Sequence, residues 1–187
     1  MPASEKRAAI RFIAPVDGSS VGALLTVVDQ KLREGVRDFT LLISTPGGSV
    51  FHGLTAYNFL KGIPAKIVTH NFGSVDSIGI VLYCAGSERR SVPHARFLLH
   101  GVSTGFQQNE RLEEKQLEER LKGLQIDLRN IGRVIAANTG KTEGEVYQAM
   151  LDRTTLDPEQ ARTWGLVHEV RTELIEEGQE IIAIQQG

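Results

Sequence analysis

Short β-rich runs alternate with helical stripes through the first half of the chain, and this alternation leaves few folds open. The runs are Ile10 to Ala14, Phe39 to Ser44, Lys66 to Thr69 and Arg96 to His100. After the first run, Val21, Leu24, Leu25, Val28 and Leu32 recur at helical steps; after the second, Leu54, Tyr57 and Leu60 do the same. A helix with one apolar stripe must lay it on a sheet, and a helix inserted between two strands makes those strands parallel. The expected class is therefore α/β, a succession of βαβ units with glycines at the strand ends: Gly47-Gly48, Gly73, Gly79 and Gly101.

The second half changes character. Leu112, Leu117, Leu121, Leu124, Leu128, Ile131 and Ile135 follow one another at steps of 5, 4, 3, 4, 3 and 4 in a charged background. The pattern predicts one amphipathic helix over 109–137. At about 1.5 Å per residue it would exceed 40 Å, too long for a domain of this size to cover, so it is expected to project and meet another subunit. The other reading is a helix kinked near Gly123 or Gly132 and folded back. Asn138-Thr139-Gly140 supplies a stop, Thr142-x-x-Glu145 a capping box for a short helix, and Asp157-Pro158-Glu159 the start of another ending near Trp164-Gly165. Ile181 to Ile184 is read as a final strand within a C-terminal extension over 172–187. One domain spans the whole chain.

Composition narrows the function classes. With 21 basic and 23 acidic side chains, net charge −2 and no basic block longer than Arg89-Arg90, nothing marks a nucleic-acid or acidic-membrane partner. The single cysteine excludes an internal disulfide framework and a CxxC zinc site. The first residues are polar and charged, and the apolar stretch Ala8 to Val16 is interrupted by Arg11 and Pro15, unlike an export signal. Ile78 to Gly86, the longest nearly uncharged apolar stretch, is about half a membrane span. A cytoplasmic protein is expected.

Two glycine-bearing turns follow strands and precede helices. Ser44-Thr45-Pro46-Gly47-Gly48-Ser49 presents backbone N–H groups where an anion or oxyanion can approach. Gly73-Ser74-Val75-Asp76-Ser77-Ile78-Gly79 places Ser77 at the start of a buried helix, where unpaired N–H groups favour negative charge, or else makes Ser77 or Asp76 a plain N-cap. His100, ending an apolar strand, is the type of general base a serine nucleophile needs. His52, His70, His94 and His168 are read as surface or structural residues.

In order along the chain, these blocks resemble the proteolytic subunit of the Clp-type (caseinolytic) serine proteases. The family's Ser-Pro-Gly-Gly turn resembles Ser44-Thr45-Pro46-Gly47-Gly48, with a threonine before the proline. Its Gly-x-x-x-Ser-x-Gly turn matches Gly73, Ser77 and Gly79, and its Pro-x-x-Arg-x-x-x-His segment matches Pro93, Arg96 and His100. Asn138-Thr139-Gly140 and Ala161-x-x-Trp164-Gly165-Leu166-Val167 resemble two further blocks, so the likeness runs from about Ile10 to Val170.

The resemblance implies the α/β spiral shared by Clp proteases and crotonases, with the long helix as the handle between stacked rings. It implies Ser77 as nucleophile, His100 as general base, and Gly48 and Ile78 as backbone oxyanion donors. No metal or organic cofactor is needed. The substrate would be a peptide or unfolded protein, cut inside a homo-oligomer whose family rings are usually seven-fold.

Departures from the pattern are specific. An ungapped count puts Arg153 where the family has its aspartate. Asp152 lies one residue early and is taken as the orienting carboxylate; Asp157 and a bare Ser-His dyad are the other readings. Asp76 stands where the family has a small residue, and its charge would oppose an oxyanion nearby unless the side chain points away or caps the helix. The family's axial-loop segment is largely missing, which argues against docking of an ATPase unfoldase. Two other functions fit the same residues: an inactive scaffold subunit, and a crotonase-type acyl-CoA hydratase or hydrolase.

Overall fold

A computed structural model describes residues 6–103, 105, 108, 110–176 and 179–184. Its sheet runs in the order β6-β5-β3-β2-β1-β8, with β4 pairing β3 on one side and β7 on the other. The strands are β1 (Arg7–Ile13), β2 (Asp38–Thr45), β3 (Lys66–Asp76), β4 (Glu88–Ser91), β5 (Arg96–Leu98), β6 (Thr155–Leu156), β7 (Glu169–Val170) and β8 (Glu180–Ala183). All pairings are parallel except β5 with β6. The predicted α/β class holds.

Helices α1 (Gly18–Arg33) and α2 (Val50–Gly62) supply the first two crossovers. Val21, Leu24 and Val28 of α1 and Ala56 and Leu60 of α2 are buried against Ile10, Phe12, Leu41 and Ile43. α3 (Gly79–Tyr83) is buried at every residue, as its unbroken apolar run requires.

β3 differs from the sequence expectation. The strand does not end at Thr69 but runs on to Asp76, so the segment from Gly73 to Asp76 is strand rather than turn. Its first part pairs with β4 and its last three residues, Ser74 to Asp76, with β5. The register against β2 slips between Ile43↔Asn71 and Thr45↔Val75. Two extra residues on β3 bulge there and re-aim the strand end.

The long helix is α4 (Glu114–Thr139), one unbroken helix through Gly123 and Gly132, which removes the folded-back reading. Its start is later than residue 109, because Glu113 and Gln116 close a capping box; Asn109 itself lies outside the described residues. Only Ile131, Gly132 and Ile135 are buried, while Leu117, Leu121 and Ile126 are exposed. The N-terminal half thus projects from the domain. α5 (Glu143–Leu151) and α6 (Pro158–Thr163) start on the predicted caps Thr142 and Asp157.

β4 carries Arg89, which is buried and has no carboxylate partner among the described residues. Its guanidinium donates to the carbonyls of Leu166, Asn138, Gly165 and Gly86 and also meets the ring of His168. It thereby ties the end of α4 and the turn after α6 to the sheet. Burial and the Arg89 charge hold the pKa of His168 below its ordinary value.

Candidate active site

Ser77, His100, Gly48 and Ile78 line one cleft, whose walls include Val50, Leu99, Ile131, Ile135 and Met150. Four separate stretches of chain meet there: the turn after β2, the end of β3, the residues after β5, and the α4/α5 layer.

Ser77 directly follows β3 in the left-handed region, with φ +59°. For a residue with a Cβ this costs roughly 1 to 2 kcal/mol, and it persists only where the surroundings enforce it. The Ser77 N–H donates to the Leu98 carbonyl at 2.8 Å, fixing the residue to the end of β5. On the other side Gly47 presses close. A Cβ there would lie 2.6 Å from Ser77 Cβ and 2.8 Å from the Asp76 carbonyl, and Gly47 has φ +88°. No side chain fits between the two turns. Ser77 does not cap α3, which has no side-chain cap.

The oxyanion candidates are both free. Val16 N–H donates to the Gly47 carbonyl and Ser49 N–H to the Val16 carbonyl, which leaves the N–H of Gly48 facing away from Val16. Ile78 precedes α3, so its N–H falls outside the helix ladder. Neither N–H has a hydrogen-bond acceptor among the described residues. Unpaired backbone amides on residues lining a cleft are uncommon and can receive a ligand oxygen.

His100 Nδ1 lies 2.8 Å from the Gly101 carbonyl. A carbonyl only accepts, so Nδ1 carries the proton in this bond; in the neutral ring Nε2 then holds the lone pair a general base requires. No hydrogen bond joins His100 to Ser77 among the described residues, although both face the cleft.

Asp152 is not joined to His100. The neighbouring chain runs close, since Leu99 N–H donates to the Thr154 carbonyl, but the Asp152 carboxylate accepts instead from Gln148 at 2.8 Å, on the surface of α5. Asp157 caps α6, accepting from the Gln160 N–H at 2.8 Å. Arg153 also takes a positive φ, +52°.

Asp76 points away from the cleft. Its Oδ1 accepts from the Ser74 hydroxyl at 2.6 Å and its Oδ2 from Arg96 at 2.8 Å. The charge that threatened to oppose an oxyanion is thus engaged elsewhere. The Asp76–Arg96 pair and the Gly101 carbonyl were not foreseen as part of the site; strand alternation at Ser74 and Asp76 was the available signal for the first. Among the described residues no group of three or more His, Cys, Asp or Glu side chains is arranged to hold a metal ion, and no helix is long and apolar enough to cross a membrane.

The Clp protease family profile matches residues 13–173. Among curated proteins, the chain is 33% identical over 151 residues to ATP-dependent Clp protease proteolytic subunit 3 of Rhodococcus jostii, covering 79% of this chain and 69% of that protein. It is 33% identical over 142 residues to proteolytic subunit 2 of Corynebacterium efficiens, covering 75% and 69%. A solved ClpP1 mutant from Listeria monocytogenes shares the fold with TM-score 0.80 at 20% identity, covering 88% of this chain and 91% of that one. These matches give no support to the crotonase-type alternative. With the match spanning all four stretches that build the cleft, the chain belongs to the Clp protease family.

Proposed function

We propose that the chain is a serine endopeptidase in which Ser77 and His100 do the chemistry. Ser77 Oγ attacks the peptide carbonyl carbon while His100 Nε2 takes its proton. The carbonyl oxygen becomes an oxyanion that accepts from the N–H groups of Gly48 and Ile78. The intermediate collapses, His100 returns the proton to the leaving amine, and a water molecule repeats the cycle on the acyl-enzyme. One such pre-aimed donor is worth about 3 to 4 kcal/mol of barrier. The observation that carries the reading is that two unengaged amides, a serine in the left-handed region and a histidine whose Nδ1 is held by the Gly101 carbonyl all line one cleft.

In this reading the Gly101 carbonyl does the orienting work usually given to a carboxylate, by fixing the His100 tautomer. The second reading keeps Asp152 as the orienting group, favoured by the course of residues 152–154 beside Leu99; it requires the carboxylate to leave Gln148. The apolar walls, Leu99, Ile131, Ile135 and Met150 among them, suit an apolar side chain of a peptide next to the scissile bond. The exposed Leu117, Leu121, Ile126, Tyr147 and Leu151 on α4 and α5 need cover, which a second copy in a ring assembly would supply. A cytoplasmic homo-oligomer without a cofactor belongs to the same proposal.

The test is intact-mass labelling with a fluorophosphonate. One adduct on the wild type, absent from Ser77→Ala and His100→Ala, is expected. A folded wild type that takes no adduct would overturn the peptidase reading in favour of a scaffold subunit.

A further inference from the structure

β5 is three residues long where it meets the end of β3, yet this short seam joins the strand that delivers Ser77 to the strand that delivers His100. Its register is Ser74↔Arg96, Val75↔Phe97 and Asp76↔Leu98. Alternation puts Val75 and Phe97 on one face, where both are buried, and Ser74, Asp76 and Arg96 together on the other. On that second face the Arg96 guanidinium reaches Asp76 Oδ2 at 2.8 Å while the Ser74 hydroxyl holds Oδ1 at 2.6 Å. Asp76 is only 7% exposed, so its carboxylate has little water to fall back on. Arg96 is its one ion-pair partner among the described residues, and that side chain is itself 55% exposed.

We propose that the Asp76–Arg96 ion pair is a positioning clamp that sets Ser77 against His100. The inference rests on the Ser77–His100 peptidase reading. Each partner sits within four residues of a reacting group: Asp76 directly before Ser77, Arg96 four before His100. Both hold the seam from the side away from the cleft, so neither touches substrate. The clamp also explains how a charged residue is tolerated next to the nucleophile. Arg96 compensates its charge, and the two bonds to its oxygens keep the carboxylate out of the cleft while the following residue takes a positive φ. Loosening the seam lets Ser77 relax and widens its separation from His100, and small misplacements of reacting groups cost rate steeply.

The experiment measures the fluorophosphonate labelling rate and the kcat and KM of peptide hydrolysis for wild type, Arg96→Met, Asp76→Asn, the double variant and Arg96→Lys, with melting curves for each. The clamp predicts at least a tenfold fall in labelling rate and kcat for each disabling single variant, with KM within twofold. It further predicts a double variant no slower than the slower single, and recovery of most of the rate in Arg96→Lys, which keeps the charge. Arg96 is half exposed, so Arg96→Met keeps the comparison open if Asp76→Asn fails to fold. Folded single variants that label within twofold of wild type, or a double variant whose loss is the product of the two single losses, would overturn the clamp alone. A wild type that does not label at all would instead remove the peptidase reading on which the clamp stands.

Discussion

His70 makes the stability of this fold acid-sensitive by an amount that the structure sets. The residue lies on β3 with no exposed surface, paired in register with Leu42 on one side and Arg90 on the other. Neither ring nitrogen has a hydrogen-bond partner among the described residues. Burial first, and then the Arg90 charge, lower its pKa from 6.5 to about 4; the Arg171 backbone opposes them, followed by smaller contributions from the Arg171 charge, which lowers it, and Glu173, which raises it. The folded chain therefore keeps His70 neutral while the unfolded chain protonates it from 6.5 downward. The contribution is intact above pH 6.5 and is lost as pH falls through the window down to about 4. At about 1.36 kcal/mol per pH unit, the full loss is roughly 3 kcal/mol, of which about 2 is already gone at pH 5. The assay is urea unfolding at pH 7.5, 6, 5 and 4.5 at one protein concentration, comparing wild type with His70→Leu, a side chain of similar volume. Carboxylates that titrate in the same range contribute to both curves and cancel. Wild type should lose about 2 kcal/mol more than His70→Leu between pH 7.5 and 5. At pH 7.5 the variant should be no less stable, since it removes two unpaired buried nitrogens. Parallel pH curves for the two proteins would refute the reasoning.

Three further outcomes follow from particular contacts. Gly47→Ala should lose at least tenfold in labelling rate and about 1 kcal/mol or more of stability, because the added carbon meets Ser77 Cβ at 2.6 Å and the backbone there has φ +88°; a normal rate would show that the two turns are not tightly apposed. Arg89→Met should cost about 3 to 5 kcal/mol in chemical denaturation, since carbonyls of Leu166, Asn138, Gly165 and Gly86 lose their donor, and Arg89→Lys should recover little of it for want of a fork. Asp152→Asn separates the two accounts of His100: peptidase kcat falls less than tenfold if the Gly101 carbonyl orients the ring, and by about 10⁴ if Asp152 does, as in a carboxylate-dependent triad.

The α/β class, the crossover helices and the helix caps were legible because each rests on a local periodicity. The stripes at Val21, Leu24 and Val28, the box at Thr142 and Glu145, and the Asp157-Pro158 start all recur in the structure. β4 was not legible. Glu88-Arg89-Arg90-Ser91 reads as a solvated charged stretch, yet Arg89 and Ser91 are buried, and what makes this tolerable is a set of carbonyls from residues far along the chain. Long-range compensation of that kind leaves no trace in a window of neighbouring residues. The short β6 and β7 have the same origin, being strands only because β5 and β4 are there to pair with.

At the site, residue types were readable but side-chain directions were not, and Asp76 shows why. Taken as a turn, Gly73 to Ser77 offers no rule for where an aspartate points, and its charge then reads as a competitor of the oxyanion. Taken as a strand, the same letters carry a period of two. Ser74 and Asp76 must then share a face, and an arginine on the adjoining strand opposite Ser74 must share it too. The glycine that suggested a turn instead accompanies the bulge by which β3 leaves one partner and takes another. That change of partner brings β5, and with it His100, to the end of the strand that carries Ser77. The same local irregularity that hid the strand from the sequence therefore assembles the candidate catalytic pair, and the direction of Asp76 follows from it.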